Sequence, residues 1–350
     1  MDRVLRVLVI DDSAYVRKVV KEMLSRSPFI EVVGAARDGK EALDLVEQLQ
    51  PDVITCDLIM PELDGVGFVR EQMQRRPVPI IIMSIASETG DAALTALDLG
   101  AVDFIQKPTA LATEKIFEVS AELIEKVKMA GSISIKDATV YTVSPATLSA
   151  GSTTVPVKGA RAVDIVALGI STGGPQALKQ LIPQLPADFP VPLVMVMHMP
   201  VGYTEMYARK LNEFSPLSVS EAREGDELKA GMVLLAPAGR HLTLQRKADG
   251  NVAVHLDTRP FDMLHRPSVD VMFQSAAEVY GSRVLGVVMT GMGSDGKQGA
   301  AWIKSKNGIV YTEAEESCVV YGMPGSVVDA GLSDKSFALS QMAQAIREVV

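Results

Sequence analysis

Three polar side chains in the C-terminal half have the chemistry needed to cleave an ester. Ser171 follows "VDIVALGI" within the pattern G-x-S-x-G, His198 follows "VPLVMVM", and Asp295 lies in "TGMGSDG". A neutral imidazole can take the proton of a serine hydroxyl, because histidine titrates at ~6.5. A carboxylate on the other ring nitrogen fixes the tautomer and stabilises the imidazolium. The three residues therefore predict a nucleophile, a base and an orienting acid.

Each of these residues also has a simpler interpretation. Ser171 could cap the helix predicted from Pro175, because serines before helices are commonly N-caps. His198 could be a buried histidine with internal partners, and Asp295 could be a turn residue between glycines. G-x-S-x-G is typical of α/β-hydrolases, but their histidine follows the acid, and no histidine follows Asp295.

His198 is the predicted base because, of the four histidines, it alone follows a predicted parallel strand next to that of Ser171. His241 and His255 lie in a region of short strands and turns, which we place away from the sheet edge. His265 precedes a predicted helix and could shape the pocket.

A nucleotide site is a competing interpretation of the same half of the chain. "GMGSDG" is formally G-x-G-x-x-G after a strand, and Glu313 ends the next strand, as a dinucleotide site requires. Against it, Asp295 lies within the turn, where its carboxylate would oppose a diphosphate. A nucleotide-binding module and a nicotinamide-dependent enzyme remain the alternatives.

A second set of polar side chains lies at strand ends in the N-terminal half. Its members are Asp11, Asp12, Asp57, Ser84 and Lys107. The carboxyl ends of parallel strands share one edge of a sheet, where ligands bind. Carboxylates gathered there repel one another unless a hard cation neutralises them, and Mg²⁺ fits. The serine and the lysine could then bind an added anion; alternatively, each aspartate only begins a turn or caps a helix.

The elements that must position these residues form two α/β domains. Strand-like and helix-like patterns alternate up to the helix "TEKIFEVSAELIEKVKMAG", which predicts a (βα)₅ domain over residues 1–131. Alternation resumes over 163–350 and predicts a doubly wound parallel sheet with an antiparallel hairpin excursion around "ADGN". Residues 132–162 are rich in Ser, Thr, Ala and Gly and are predicted to be an interdomain linker.

Composition narrows the class of protein. The 350 residues are 47% hydrophobic, enough for two cores. The net charge of -9 and the pI of about 5.1 argue against nucleic-acid binding. Cys56 and Cys318 cannot form a disulfide framework. The first apolar run is too short to span a membrane, so we expect a cytoplasmic protein that is not membrane-embedded.

The N-terminal motifs closely resemble response-regulator receiver domains, which have a flavodoxin-like fold. The resemblance rests on "DDS", "D…MPELDG", a serine after "PIIIM" and "KP". It implies that Asp57 accepts a phosphoryl group from a histidine kinase. It also implies that Asp12, Asp57 and the carbonyl of Ile59 hold Mg²⁺, with Asp11 contributing through water. Phe104 falls where these receivers have a switch aromatic, although an ordinary core ring is an equal alternative.

The C-terminal motifs resemble the catalytic domain of chemotaxis protein-glutamate methylesterases. They are "GISTGGPQAL", "MHMP", "HRPSVDVMFQSAA", "MTGMGSDG" and "YGMPGSV". The resemblance implies that Ser171 is the nucleophile, His198 the base and Asp295 the orienting acid. Thr172 matches a hydroxyl near the histidine. Backbone N–H groups near Met292 are candidates for an oxyanion hole, where one donor is typically worth ~2.7–4 kcal/mol.

The two resemblances together imply a regulated serine hydrolase. Its reaction would be hydrolysis of γ-glutamyl methyl esters on chemoreceptor helices, and family members also deamidate particular receptor glutamines. The receiver would need Mg²⁺ for phosphorylation, whereas the esterase would need no cofactor. A chemotaxis histidine kinase would be the phosphodonor, and the protein would be recruited to chemoreceptor arrays. The unphosphorylated receiver would block the catalytic edge, and phosphorylation of Asp57 would loosen that block.

Overall fold

The structure is a computed structural model that describes residues 3–107, 113–133 and 163–350. The chain separates into two compact units, Met1–Thr139 and Val140–Val350. Most of the predicted linker, residues 134–162, lies outside the described residues, so the domain boundaries at 131 and 163 stay predictions. Among the described helices, none has the length and apolar character needed to cross a membrane.

The N-terminal unit is a five-stranded parallel sheet in the order β2-β1-β3-β4-β5. Its strands are β1 (Leu5–Ile10), β2 (Ile30–Ala36), β3 (Val53–Asp57), β4 (Ile80–Ser84) and β5 (Asp103–Gln106). Its helices are α1 (Ala14–Leu24), α2 (Gly39–Leu49), α3 (Gly65–Arg75), α4 (Ala86–Asp98) and α5 (Thr113–Ala130). The predicted flavodoxin-like (βα)₅ fold is confirmed.

Local sequence explains where these elements begin. Every residue of β3 and β4 is buried, as expected for apolar strands covered on both faces. The side chains of Ser13, Asp38 and Asp64 accept hydrogen bonds from the first turns of α1, α2 and α3, respectively. These N-caps satisfy backbone N–H groups that a helix start leaves without partners.

The C-terminal unit is a seven-stranded parallel sheet with a separate antiparallel hairpin. Its strands are β6 (Ile165–Ile170), β7 (Leu193–Met197), β8 (Ser218–Glu221), β9 (Met232–Leu235), β10 (His241–Arg246), β11 (Val252–Asp257), β12 (Val284–Val288), β13 (Ile309–Glu313) and β14 (Lys335–Phe337). Its helices are α6 (Gly174–Leu181), α7 (Thr204–Phe214), α8 (Val269–Tyr280), α9 (Lys297–Ser305), α10 (Met323–Asp329) and α11 (Leu339–Arg347). The predicted doubly wound fold is confirmed.

The predicted hairpin excursion is formed by β10 and β11, which pair antiparallel. Their turn is closed by a 2.8 Å hydrogen bond from Lys247 N to Asn251 O, around the predicted "ADGN". This pair lies outside the large sheet, whose strand order is β14-β13-β12-β6-β7-β9-β8.

Strand β6 occupies the position that matters for function. It pairs with β7 on one side and with β12 on the other. The chain moves from β6 to β7 and later returns to β12, so the carboxyl end of β6 is a topological switch point. Crevices at such points are the usual ligand sites of doubly wound sheets.

Candidate active site

Ser171 lies at the switch point, directly after β6. Its backbone N–H donates to the carbonyl of Thr290 at 2.9 Å, and its own carbonyl accepts from Gly174 N at 2.7 Å. The second bond closes the turn into α6, and Gly173 within it has a φ of +80°, which a residue without Cβ adopts at little cost. The Ser171 backbone is thus held from both sides, and its side chain is only partly buried.

His198 lies beside Ser171 because their strands are neighbours in register. Ile170 pairs with Met197, and each is followed by one of the two site residues. The backbone N–H of His198 also donates to the carbonyl of Ile170 at 3.3 Å. The structure thus brings the predicted nucleophile and base to one edge.

Asp295 reaches the same edge from the loop after β12. Its Oδ2 lies 2.8 Å from His198 Nε2, and the two side chains are only 7–10% exposed. With Nε2 bonded to the carboxylate, the neutral ring carries its proton there and keeps the Nδ1 lone pair. Nδ1 is buried and has no hydrogen-bond partner in the part of the chain that is described. It is therefore the nitrogen left to take a serine proton.

The N-terminus of α8 surrounds the carboxylate of Asp295 with donors. Oδ1 accepts from Ser268 Oγ at 2.8 Å and from Asp270 N at 2.9 Å, and Oδ2 accepts from Val269 N at 2.8 Å. Burial acts to raise the pKa of Asp295, but the His198 bond and these amides outweigh it and lower the pKa to about 2. Asp295 is therefore ionised throughout the neutral range.

Two further residues that the sequence analysis selected lie in the loops around Ser171. Thr172 is buried, and its carbonyl accepts from Thr290 Oγ1 at 3.0 Å. Met292 is half-buried in the loop after β12, and its N–H is not bonded to any described residue. The preceding residue, Gly291, approaches Ser171 closely, since a methyl group built on the glycine would lie 2.7 Å from Ser171 Cβ.

Two histidines that were not selected as the base belong to the surroundings of this site. The His265 ring stacks on His198 with centroids 4.0 Å apart, so it does shape the pocket. His241 is fully buried, and its Nδ1 accepts from Ser268 N at 3.2 Å. The expectation that His241 lies away from the site was wrong, because the hairpin folds back onto the start of α8.

Glu313, the acid that the nucleotide interpretation required, is not available to a ligand. It has no exposed surface, and its carboxylate accepts from Thr290 N at 2.9 Å and Ser317 Oγ at 3.0 Å. Burial raises its pKa to about 7. Glu313 supports the loop beside Ser171 from within the core.

A second acidic site lies at the carboxyl edge of the N-terminal sheet. Carboxylate oxygens of Asp11, Asp12 and Asp57 lie within 4.8 Å of one another. Lys107 Nζ forms ion pairs with Asp57 at 2.7 Å and Asp11 at 2.9 Å. An all-oxygen donor set with one exposed carboxylate, that of Asp12, suits Mg²⁺, which keeps several waters.

Charge at this edge is only partly compensated. Burial raises the pKa of Asp57, although the hydrogen bond from Lys107 opposes that change. For Lys107 burial acts to lower the pKa, but its bonds to the two aspartates outweigh burial and raise it. One ammonium group thus faces a cluster of carboxylates, and a cation would relieve their repulsion.

The other predicted site residues of the N-terminal unit lie in or after its central and edge strands. Ser84 ends β4, is buried, and shares a short hydrogen bond with Thr89. Phe104 is buried in β5, so its ring is in the core. Ile59 lies in the loop after β3 with an exposed side chain. Pro108 of the "KP" pair lies outside the described residues.

Comparisons with known proteins agree with both halves of the chain. Residues 7–118 match the family model "Response regulator receiver domain", and residues 166–346 match "CheB methylesterase". The "Protein-glutamate methylesterase/protein-glutamine glutaminase 5" of Myxococcus xanthus is 47% identical over 347 residues, 99% of this chain and 98% of the relative. The chain belongs to the CheB methylesterase family.

Other members of the CheB methylesterase family show the same match. A "Protein-glutamate methylesterase/protein-glutamine glutaminase" of Symbiobacterium thermophilum is 43% identical over 360 residues, 100% of this chain and 98% of the relative. The crystal structure of the Thermotoga maritima CheB methylesterase catalytic domain is 42% identical, with a TM-score of 0.53, covering 54% of this chain and 100% of that one. These matches give no support to the nucleotide alternatives.

Proposed function

We propose that the chain is a phosphorylation-regulated serine hydrolase that removes methyl groups from glutamate methyl esters of chemoreceptors. The observation that carries the proposal is the pairing of His198 Nε2 with Asp295 at 2.8 Å, which leaves a buried Nδ1, without a partner among the described residues, at the strand end beside Ser171. The family relationship supports the choice of substrate, and the same acyl transfer extends to deamidation of receptor glutamines.

The chemistry follows from the protonation state of His198. Ser171 Oγ attacks the ester carbonyl while its proton passes to His198 Nδ1, and the imidazolium that forms is stabilised by Asp295. The C–O bond of the ester then breaks, and methanol leaves with the Nδ1 proton. Water attacks the acyl-enzyme with His198 again as base, which releases a glutamate carboxylate and restores the serine. A glutamine substrate would release ammonia in place of methanol.

The oxyanion of each tetrahedral intermediate needs donors that are not already used. The N–H of Gly291 is bonded to Val320 O at 3.0 Å, whereas the N–H of Met292 is free of bonds to other described residues. We therefore assign Met292 N as an oxyanion-hole donor, as the sequence analysis expected.

The receiver unit supplies the proposed regulation. Asp57 would accept a phosphoryl group from a chemotaxis histidine kinase, with Lys107 and Ser84 placed to bind its oxygens. Mg²⁺ would be held by Asp11, Asp12, Asp57 and the carbonyl of Ile59, where it neutralises charge on the incoming phosphoryl group. Phe104 would report the phosphorylated state as a switch aromatic. The full chain would work in the cytoplasm on chemoreceptor arrays.

The decisive test of the hydrolase is Ser171→Ala in the full chain. Methanol release from a methylated chemoreceptor should fall by about 10⁴-fold or more, because the acyl-enzyme cannot form. Ser305→Ala is the matched control, since among the described residues that hydroxyl donates to Trp302 O within α9. Methanol release at the wild-type rate by the Ser171 variant would refute the assignment.

The test of the regulation is Asp57→Asn treated with a small phosphodonor such as acetyl phosphate. The donor should increase the rate of methanol release by the wild type and should not change the rate of the variant. Stimulation of the variant to the wild-type extent would show that phosphorylation occurs elsewhere.

A further inference from the structure

Two helices of the esterase unit exchange the carboxylates that cap their N-termini. Asp295 lies in the loop before α9 and accepts hydrogen bonds from Val269 N and Asp270 N at the start of α8. In return, Asp270 of α8 accepts from Gly296 N at 2.8 Å and Gly299 N at 2.7 Å at the start of α9. Each aspartate thus caps the other's helix.

Neither helix has a side-chain cap of its own. The capping oxygens for each helix therefore come from an aspartate near the start of the other. The N-cap residue of α9 is Gly296, which carries no side chain. The N-cap residue of α8 is Ser268, whose hydroxyl donates to Asp295 Oδ1 at 2.8 Å and caps no N–H of its own helix. The first N–H groups of a helix need partners, so Asp270 and Asp295 supply what the local sequence lacks.

Close packing fixes the distance between the two helix starts. A methyl group built on Gly299 would lie 3.0 Å from Asp270 Cα and 2.5 Å from Phe273 Cβ, so the backbones meet where only glycine fits. Because of this contact, the side chain of Asp270 is held where its Oδ1 accepts from both glycine amides.

The segment that carries Asp295 is therefore anchored at two consecutive residues. The carboxylate of Asp295 is bonded to His198 and to the start of α8. The backbone N–H of Gly296, the next residue, is bonded to Asp270. We propose, on the basis of the hydrolase function above, that Asp270 is a positioning residue for the esterase reaction, which holds Asp295 in line with His198.

Asp270 provides this support as a hydrogen-bond acceptor, and its negative charge is secondary. Burial raises its pKa to about 6, with the neighbouring Asp295 contributing in the same direction. A protonated carboxyl group or an amide still offers a carbonyl oxygen to Gly296 N and Gly299 N. Asparagine can therefore replace Asp270, whereas alanine cannot.

The experiment compares Asp270→Ala, Asp270→Asn and Asp270→Glu in the full chain, with methanol release from methylated receptor as the assay. The alanine and glutamate variants should lose roughly 10–100-fold in kcat with KM unchanged, because Asp295 moves relative to His198. The asparagine variant should stay within about 3-fold of the wild type. The glutamate variant keeps the charge but displaces the oxygen, so it tests position even if the alanine variant does not fold.

Asp334→Ala is the matched control for folding. Asp334 accepts a backbone hydrogen bond from Val310 at 2.8 Å, near the opposite end of β13 from the site. The Asp334→Ala substitution should lower the thermal unfolding temperature without changing kcat. Equal kcat for wild type, Asp270→Ala and Asp270→Glu would overturn the inference.

A double-mutant cycle separates positioning from a general structural role. In an Asp295→Ala background, Asp270→Ala should have almost no further effect on kcat, because the group that it positions is gone. Fully additive losses would show that Asp270 acts elsewhere. If the wild-type chain itself released no methanol, the proposed function would fail, and that outcome is distinct from a wild type that works while the Asp270 variants equal it.

Discussion

Asp57 of the receiver unit and Asp295 of the esterase unit both lie at the carboxyl edge of a parallel sheet, and both are buried. Asp57 accepts hydrogen bonds from Leu58 N and Lys107 Nζ, beside two other carboxylates. Asp295 accepts from a serine hydroxyl, two amides and an imidazole, with acceptor positions on both oxygens used. The pKa of Asp57 is raised, and that of Asp295 is lowered to about 2.

The number of donors decides what each carboxylate can do. The charge of Asp57 is incompletely compensated, which favours binding of a cation and chemical modification of the oxygen. The charge of Asp295 is fully compensated by fixed donors, so it remains a static anion that orients a neighbouring ring. Two carboxylates at the carboxyl edges of parallel sheets thus differ: Asp57 retains uncompensated charge, and Asp295 is a fixed electrostatic support for His198.

Asp295→Asn is the most severe test of the proposal that the Asp295 carboxylate orients the His198 ring. The amide would present a donor to His198 Nε2 and disfavour the tautomer that leaves Nδ1 free, so kcat should fall by about 10³–10⁴-fold. Steady-state methanol release from methylated receptor measures it, with Asp334→Asn as control. A loss of less than about 10-fold would mean that the His198 tautomer is set by another group.

Glu313→Gln tests whether burial without sufficient donors raises a pKa in the esterase unit, as it does at Asp57. Folded Glu313 has a pKa of about 7 against an ordinary 4.5, so the folded state holds a proton that the unfolded state releases. Wild-type stability should therefore decrease by ~3 kcal/mol as pH rises from about 4.5 through about 7. The variant should lack this component of the pH dependence.

Urea unfolding of the wild type and the Gln variant at about pH 5 and about pH 8 measures the difference. Glu278→Gln, at an exposed position of α8, is the control and should keep the wild-type pH dependence. Identical pH dependence in wild type and Glu313→Gln would show that Glu313 is ionised in the folded protein at neutral pH.

Gly291→Ala tests how closely the backbone must approach the nucleophile. The new methyl group would lie 2.5 Å from Met323 Sδ and 2.7 Å from Ser171 Cβ. The methionine can move, but relief at the serine displaces the reacting oxygen, so kcat should fall by about 10²-fold. Gly250→Ala, in a hairpin turn with open space around it and a φ of +90°, is the control for backbone strain away from the site, and it should lower stability without changing kcat. An unchanged kcat of the Gly291→Ala variant would mean that the loop relaxes away from Ser171.

Asp12→Asn tests whether the acidic edge of the receiver sheet, whose negative charge is incompletely compensated, binds Mg²⁺. Removing the exposed carboxylate should raise the Mg²⁺ concentration that half-saturates phosphorylation by about 10-fold, measured with a radiolabelled small phosphodonor. Chelation of Mg²⁺ should abolish labelling while methanol release by the unphosphorylated chain continues. Asp44→Asn, at an exposed position of α2, is the control. An unchanged Mg²⁺ requirement would exclude Asp12 from the site.

Much of the fold, and the proximity of the site residues, could be predicted from the polar residues that follow apolar strands. The runs before Ser171 and His198 are apolar throughout, which indicates neighbouring parallel strands, and parallel strands end at one edge. The same reasoning placed Asp11, Asp57 and Lys107 together. These predictions need only the hydrophobic pattern of each strand and the rule that parallel strands of one sheet end at the same edge. Both can be applied to short stretches of sequence.

The support around Asp295 could not be predicted in this way. Ser268 and Asp270 reach Asp295 because the N-terminus of α8 packs against the loop before α9, a tertiary contact without a periodic signal. His241 was misplaced because a hairpin's own pattern does not reveal where the hairpin folds back. The glycine at the predicted start of α9 was the available signal, since its helix N–H groups must find acceptors other than a local side-chain cap.

The sheet order also determines when the esterase can exist during synthesis. Strand β6, which Ser171 follows, is made well before its partner β12, with which it pairs through Ile165 and Val284. Closing so long a loop delays assembly of this sheet, whereas the receiver strands precede it on the ribosome and domains generally fold as units. The nascent protein would therefore acquire its regulatory unit before its hydrolytic one, and His198 would lack its Asp295 partner until most of the chain has emerged.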